Sequence, residues 1–303
     1  MPTRVLLDTD IGTDVDDCLA LALLLLSPEL QLEGVTCVYG DVDLRARMVL
    51  KLLQLRGVTS VPVPAGVRTP LLGLRDVYWE GHEGEGLLTP DDADLIPAPE
   101  FAPDYIVRTV MENPGQIHLI AIGPLTNVAL AFLKEPRLAQ HLAHLTIMGG
   151  VLRGAHDLSL PYAEHNIKCD PDAAHIVFTS GAPITLIPLD VTVQVRVTTE
   201  GWRRIRSIGT PFNSAVGGQL ERYPPFRTRG WTNLHDPLAV ASVIRPDLVQ
   251  LTPVHLDVEL AGRFTAGATL MRTPTSDFPT NAHVALEVNV SEFEEFFVAR
   301  LES

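Results

Sequence analysis

Five aspartates fall within ten residues in the segment Asp8-Thr9-Asp10-Ile11-Gly12-Thr13-Asp14-Val15-Asp16-Asp17. It lies between the apolar run Val5-Leu6-Leu7 and an apolar helical pattern. Carboxylates that close repel one another unless a cation gathers them, and an all-oxygen donor set suits Ca²⁺ or Mg²⁺ better than zinc. Gly12 permits a tight backbone turn beneath such an ion. A helix dipole accounts for Asp16 and Asp17, with Asp14 as cap, but not also for Asp8 and Asp10. An EF-hand does not fit. A strand precedes the acids, and Gly12 is fifth from Asp8, where that loop needs glycine sixth and glutamate twelfth.

Four further segments carry polar groups where an apolar run ends or a helix begins. They are Ile122-Gly123-Pro124-Leu125-Thr126-Asn127, Met148-Gly149-Gly150, Pro161-Tyr162-Ala163-Glu164-His165-Asn166 and Thr232-Asn233-Leu234-His235-Asp236-Pro237. Each alone reads equally well as a turn or a helix cap. His82, in the Gly-rich stretch Gly81-His82-Glu83-Gly84-Glu85-Gly86, and Tyr223 and Arg227, ahead of the His-Asp helix, are added as candidates for contact with a ligand.

The elements that must position these groups follow from hydrophobic periodicity. Short apolar runs at 5–7, 32–38, 117–122, 145–148 and 184–189 read as strands buried on both faces. Helical patterns at 16–26, 43–56, 102–113, 125–134 and 171–179 alternate with them, the last opened by the cap Asp170 and Pro171. This alternation predicts an α/β fold: one domain over 1–303, with a mostly parallel central sheet and helices on both faces. Ligands of such sheets bind beyond the carboxyl ends of the strands, where the acidic segment lies. Residues 66–100 predict a long loop. Helices near 199–208, 212–222 and 237–244 follow, then two or three strands over 249–290. A final helix over 291–301 is expected to open on the capping box Ser291-x-x-Glu294.

Composition narrows the partners. The 303 residues are 46% hydrophobic and 20% charged, enough for a large core. With 37 acidic against 23 basic residues the net charge is −14, which argues against nucleic acid or an anionic membrane as partner. Cys18, Cys37 and Cys169 are scattered and odd in number, so they read as ordinary buried thiols. The run 19–26 is too short to cross a bilayer, and no leader pattern precedes Val5, so the chain reads as cytoplasmic.

Together and in this order, the acidic segment, Met-Gly-Gly, Ala-Glu-x-Asn and His-Asp-Pro closely resemble the inosine-uridine-preferring nucleoside hydrolase family. The likeness runs from Asp8 to about Asp236 and weakens toward the C-terminus. It implies a Rossmann-like α/β fold and Ca²⁺-dependent hydrolysis of the N-glycosidic bond of ribonucleosides. By position, Asp10 is the implied general base and a Ca²⁺ ligand. Asp17, the main-chain carbonyl of Ile122 and Asp236 complete the ion site. Asp16 would hold the ribose hydroxyls, Glu164 and Asn166 its 5′ side, and Met148 would pack on the sugar. His235 is the best proton donor for the leaving base, with His82 the second candidate. The family forms dimers or tetramers, which implies a homo-oligomer.

The chain also departs from the family pattern. Three residues, Thr13-Asp14-Val15, separate Gly12 from the paired acids where the shorter family form has one, so Asp14 competes with Asp16 for the sugar. Asp41 stands for an asparagine, near the ion or behind its ligands, and His165 for an aromatic. Another family asparagine has no clear counterpart, its region holding His156 and Asp157. These changes leave the preferred base open. A Mg²⁺ phosphohydrolase would need a phosphate-binding lysine, and Lys51, Lys134 and Lys168 sit in no suitable context. A nucleoside-binding protein without catalysis would require a broken acid position, and Asp10, Asp17, His235 and Asp236 are all present.

Overall fold

The computed structural model describes residues 1–152 and 159–303; His156 and Asp157 therefore lie outside the described residues. Its strands are β1 (Thr3–Thr9), β2 (Leu30–Cys37), β3 (Ile117–Ala121), β4 (His144–Met148), β5 (Ile184–Ile187), β6 (Arg196–Thr198), β7 (Trp231–Asn233), β8 (Val249–Val258), β9 (Thr269–Arg272) and β10 (Ala282–Val288). Among the described residues, eight of them form one sheet in the order β2-β1-β3-β4-β5-β10-β8-β9. The pairs from β2 through β10 are parallel, and β8 and β9 add an antiparallel edge. The mostly parallel α/β expectation is what the structure shows.

The pleat sends successive residues of β1 to opposite faces. Val5 and Leu7 join a core with helices Asp16–Leu25, Val42–Arg56 and His235–Ile244, while Leu6 joins a second core with Ala102–Glu112, Thr126–Lys134 and Pro171–Phe178. Helices cover both faces, which is why the central strands are continuously apolar. The chain winds from β1 to β2 on one side and then to β3 on the other. That reversal opens a crevice at the carboxyl ends of β1 and β3.

Most predicted boundaries move by one or two residues. The strand over 184–189 stops at Ile187, because Pro188 has no N–H for the ladder and instead caps the short helix Leu189–Thr192. Loop 66–100 holds one 3₁₀ turn, Pro90–Asp94, and is tied down by single bridges of Ala65 to Cys37 and Ala98 to Pro64. The capping box at Ser291 is absent. The last helix, Val290–Leu301, starts one residue earlier at the cap Asn289, and the Glu294 carboxylate accepts the Arg196 backbone N–H instead. The antiparallel pair β6–β7 has no counterpart in the sequence reading; it ends at Asn233 and delivers the His-Asp segment to the crevice.

Candidate active site

The site grows from the turn after β1. Gly12 sits at φ +127°, a conformation L side chains rarely adopt, so the tight turn needs glycine there. Gly123, beyond β3, is needed for a different reason. A Cβ on it would lie 2.8 Å from Asp10 Oδ1 and 2.9 Å from Asp10 N. These two glycines let the acidic turn settle against the β3 end.

The five aspartates then separate by role. Asp8 points behind the site, where Oδ1 accepts the Thr36 hydroxyl at 2.5 Å and the Asn127 amide at 2.8 Å. Its Oδ2 has no hydrogen-bond partner, and burial pushes the group up to about 7 against those two bonds. The other four line a pocket of about 670 Å³, with Ile122, Met148, Glu164, Asn166, His82, Tyr223, His235 and Asp236. Asp16, Asp17 and Asp236 are buried and bring one oxygen each within 4.8 Å of one another, the metal-competent acidic group among the described residues. Asp10 borders the same space but is not in this tight trio.

Burial, and then mutual repulsion, holds Asp16, Asp17 and Asp236 well above the usual carboxylate range. Burial raises Asp10 too, opposed by Arg45 and His165. Thr9 donates to Asp17 Oδ1 at 2.5 Å while accepting the Ile11 N–H, and so orients that carboxylate. Buried carboxylate oxygens converging this closely fit a hard divalent cation, whose charge would offset their repulsion.

Arg45, which sequence reasoning missed, is fully buried in this acidic surrounding. Its guanidinium donates to the carbonyls of Tyr39 at 2.6 Å and Ile11 at 2.7 Å, and the Trp79 ring lies 5.0 Å away. Its signal, one arginine within an apolar helical pattern, is too common to single out. Tyr39 takes the left-handed conformation at φ +68°, so the chain leaving β2 turns its ring toward His165.

On the opposite wall, Glu164 caps the short helix His165–Cys169, accepting the N–H groups of Asn166 and Ile167, and it also takes that of Gly150. Asn166 donates to the carbonyls of Ile122 at 2.8 Å and Met148 at 3.2 Å, so it braces the ends of β3 and β4. Burial pulls the His165 imidazole down, but Cys169 at 3.5 Å and the charges of Asp10 and Glu164 outweigh it, and the group is pushed up to about 9. All three cysteines are free and buried, as expected.

At the rim, His235 Nδ1 lies 2.7 Å from the Thr192 hydroxyl, and burial holds the imidazole below its ordinary range. The Tyr223 hydroxyl donates to Asp14 Oδ2 at 2.7 Å; burial and then the Asp14 charge push the phenol up, so it remains a donor. His82 Nε2 is 3.2 Å from the Thr13 carbonyl, and Glu83 pins its loop by accepting the Thr13 hydroxyl and the N–H groups of Glu80 and Gly81. Thr9, Thr192 and Glu83 carried no sequence signal, since each acts by contact with a residue distant in the chain or on a neighbouring turn.

Two candidates fall outside this pocket. Asp41 is exposed; it caps the helix Val42–Arg56 through the Leu44 N–H and pairs with Arg68 at 3.5 Å. Helix capping, not a ligand, occupies it. Arg227 lines an adjoining cavity of about 750 Å³, which shares Thr13, Asp14, His82, Tyr223 and Pro224 with the first.

The profile of the family described as inosine-uridine preferring nucleoside hydrolase matches residues 5–295. The chain belongs to this family. A nucleoside hydrolase of Citrobacter koseri, the pyrimidine-specific ribonucleoside hydrolase RihA, is 34% identical over 99% of this chain and 98% of its own. Among solved structures, a plant nucleoside hydrolase, the PpNRh1 enzyme, superposes with a TM-score of 0.89 at 30% identity, covering 100% of both chains. A purine-preferring ribonucleoside hydrolase from Gardnerella vaginalis gives 0.85 at 30% identity, over 99% of this chain and 98% of that one. The protein is thus an enzyme, a nucleoside hydrolase, and the pocket at the β1–β3 crevice is its candidate active site. No helix among the described residues is long and apolar enough to cross a membrane.

Proposed function

We propose that this nucleoside hydrolase cleaves the N-glycosidic bond of ribonucleosides, releasing ribose and a free purine or pyrimidine base, with Ca²⁺ as its ion. The observation that carries this reading is the convergence of Asp16, Asp17 and Asp236, buried beside Asp10 at the floor of a nucleoside-sized pocket. Asp10, Asp17, Asp236 and the Ile122 carbonyl would hold the ion, with Asp16 close enough to join them. When bound, Ca²⁺ supplies positive charge that acidifies water and gathers vicinal hydroxyls.

The chain's own groups then divide the work. Asp10 takes the proton of the attacking water as general base. Asp16 accepts from the ribose hydroxyls, and the carboxylates around the anomeric carbon stabilise the positive charge that grows on the sugar. Glu164, Asn166 and Met148 flank its 5′ side. His235 serves the departing base. Its Nδ1 lies 2.7 Å from the Thr192 hydroxyl, and the ring, once protonated, gives a proton to the base and returns to its neutral form.

The relatives named above differ in base preference, so the test is a panel of purine and pyrimidine ribonucleosides assayed for ribose release, with and without chelator. Release that disappears on chelation and returns with Ca²⁺ is expected. Full activity after exhaustive chelation overturns the ion's role, and no release from any ribonucleoside overturns the substrate class.

A further inference from the structure

Tyr223 is the joint between two helices, closing Pro211–Arg222 and capping Pro224–Arg229. Its side-chain hydroxyl reaches 209 residues back along the chain, to Asp14. Asp14 is itself held in place, its other oxygen accepting the Val15 N–H at 2.5 Å. Asp14 and Tyr223 both line the active-site pocket and the adjoining cavity, so the bond between them crosses the boundary of the two. Nearby, the Gln219 amide donates to the Glu85 carbonyl at 3.1 Å, joining the same helix to the loop that carries His82.

Resting on the ribonucleoside reading above, we propose that Asp14 is a positioning residue which fixes Tyr223 as the base-side wall of the pocket. Asp14 thus acts through Tyr223 and holds neither the ribose nor the ion. The three-residue spacer Thr13-Asp14-Val15 places this carboxylate at the rim, two residues ahead of the buried pair Asp16 and Asp17. A wall held by one hydrogen bond to a charged group contributes to binding of the base and little to bond cleavage. Its loss therefore appears in KM more than in kcat.

The test is a double-variant cycle of Asp14→Ala and Tyr223→Phe, assayed on uridine and inosine. Each single variant should raise KM by about tenfold or more, the size expected for a hydrogen bond to a charged group. The double variant should be no worse than the poorer single, because both remove the same bond. Asp14→Asn keeps a carbonyl acceptor and should recover most of the loss. Ca²⁺ affinity of Asp14→Ala, measured by calorimetry, should match that of Asp14→Asn, since both remove the same charge beside the acids and only the asparagine keeps an oxygen that could bind the ion. Additive losses, or Ca²⁺ binding weaker in Asp14→Ala than in Asp14→Asn, overturn the proposal. Should Asp14→Ala fail to fold, Asp14→Ser takes its place in the cycle. An unaltered protein that releases no ribose would instead count against the ribonucleoside reading, so the two failures are distinct.

Discussion

The two ends of the central sheet bury ionisable groups in opposite ways. At the amino ends of β3 and β4, His118 and His144 lie side by side with ring centroids 5.1 Å apart. Each has a threonine hydroxyl at hydrogen-bond distance, Thr146 at 2.9 Å and Thr185 at 2.8 Å. Burial holds both below the ordinary imidazole range, His118 at about 3, so they stay neutral and the cost of burying charge is avoided. At the carboxyl ends, Asp10, Asp16, Asp17 and Asp236 cannot all become neutral at pH 7 without losing their chemistry. Arg45 is the buried cation nearest in effect, and it spends its donors on carbonyls. One end satisfies itself within the chain; the other is left in need of a partner from outside. His235 with Thr192 repeats this arrangement at the rim of the site, where burial outweighs the pull of Asp14 and holds the imidazole below its ordinary range.

That contrast is most sharply tested by removing Asp10. Asp10→Ala should lower kcat by at least ~10³-fold on every substrate, since general-base terms alone reach ~10²–10⁴. His235→Ala should cost as much on natural nucleosides, yet spare a nitrophenyl riboside, whose leaving group needs no proton. Equal losses on both substrates would move His235 out of the proton-transfer role.

A smaller effect concerns stability. In ion-free protein, Asp17→Asn removes one of several repelling buried charges and should raise the melting temperature. Added Ca²⁺ should then reverse the order, because binding at about 100 times Kd stabilises the unaltered protein by about 2.7 kcal/mol and the variant by less. A variant less stable than the parent even without ion would show that the acids are satisfied inside the chain after all.

The smallest effect belongs to the amino end. A histidine whose folded pKa is depressed to about 3 contributes fully above its unfolded value near 6.5, and that contribution is lost as pH falls from there toward 3. His118→Leu should therefore flatten the acid side of the melting-temperature profile over that window. An unchanged profile would mean that His118 is not the group responsible.

Much of this was legible in the chain itself. Apolar runs of three to seven residues alternating with helical periods dictate a parallel sheet, because only strands covered on both faces can be apolar throughout. The acids after β1 announce a turn that could hold a hard cation, since no run of apolar structure tolerates them unpaired. Local pattern fails where a residue acts across the fold. Asp41 looked like a site residue by position, yet its carboxylate is used on its own helix. Ser291 and Glu294 had the spacing of a capping box, but Arg196 took the glutamate. Arg45, Thr192 and the bond of Tyr223 to Asp14 depend on contacts spanning 34, 43 and 209 residues. Periodicity sees neighbours within a few turns, because it records which face of an element meets the core. Which side chains meet one another across that core is settled only when the sheet closes and its crossovers bring distant loops to one edge.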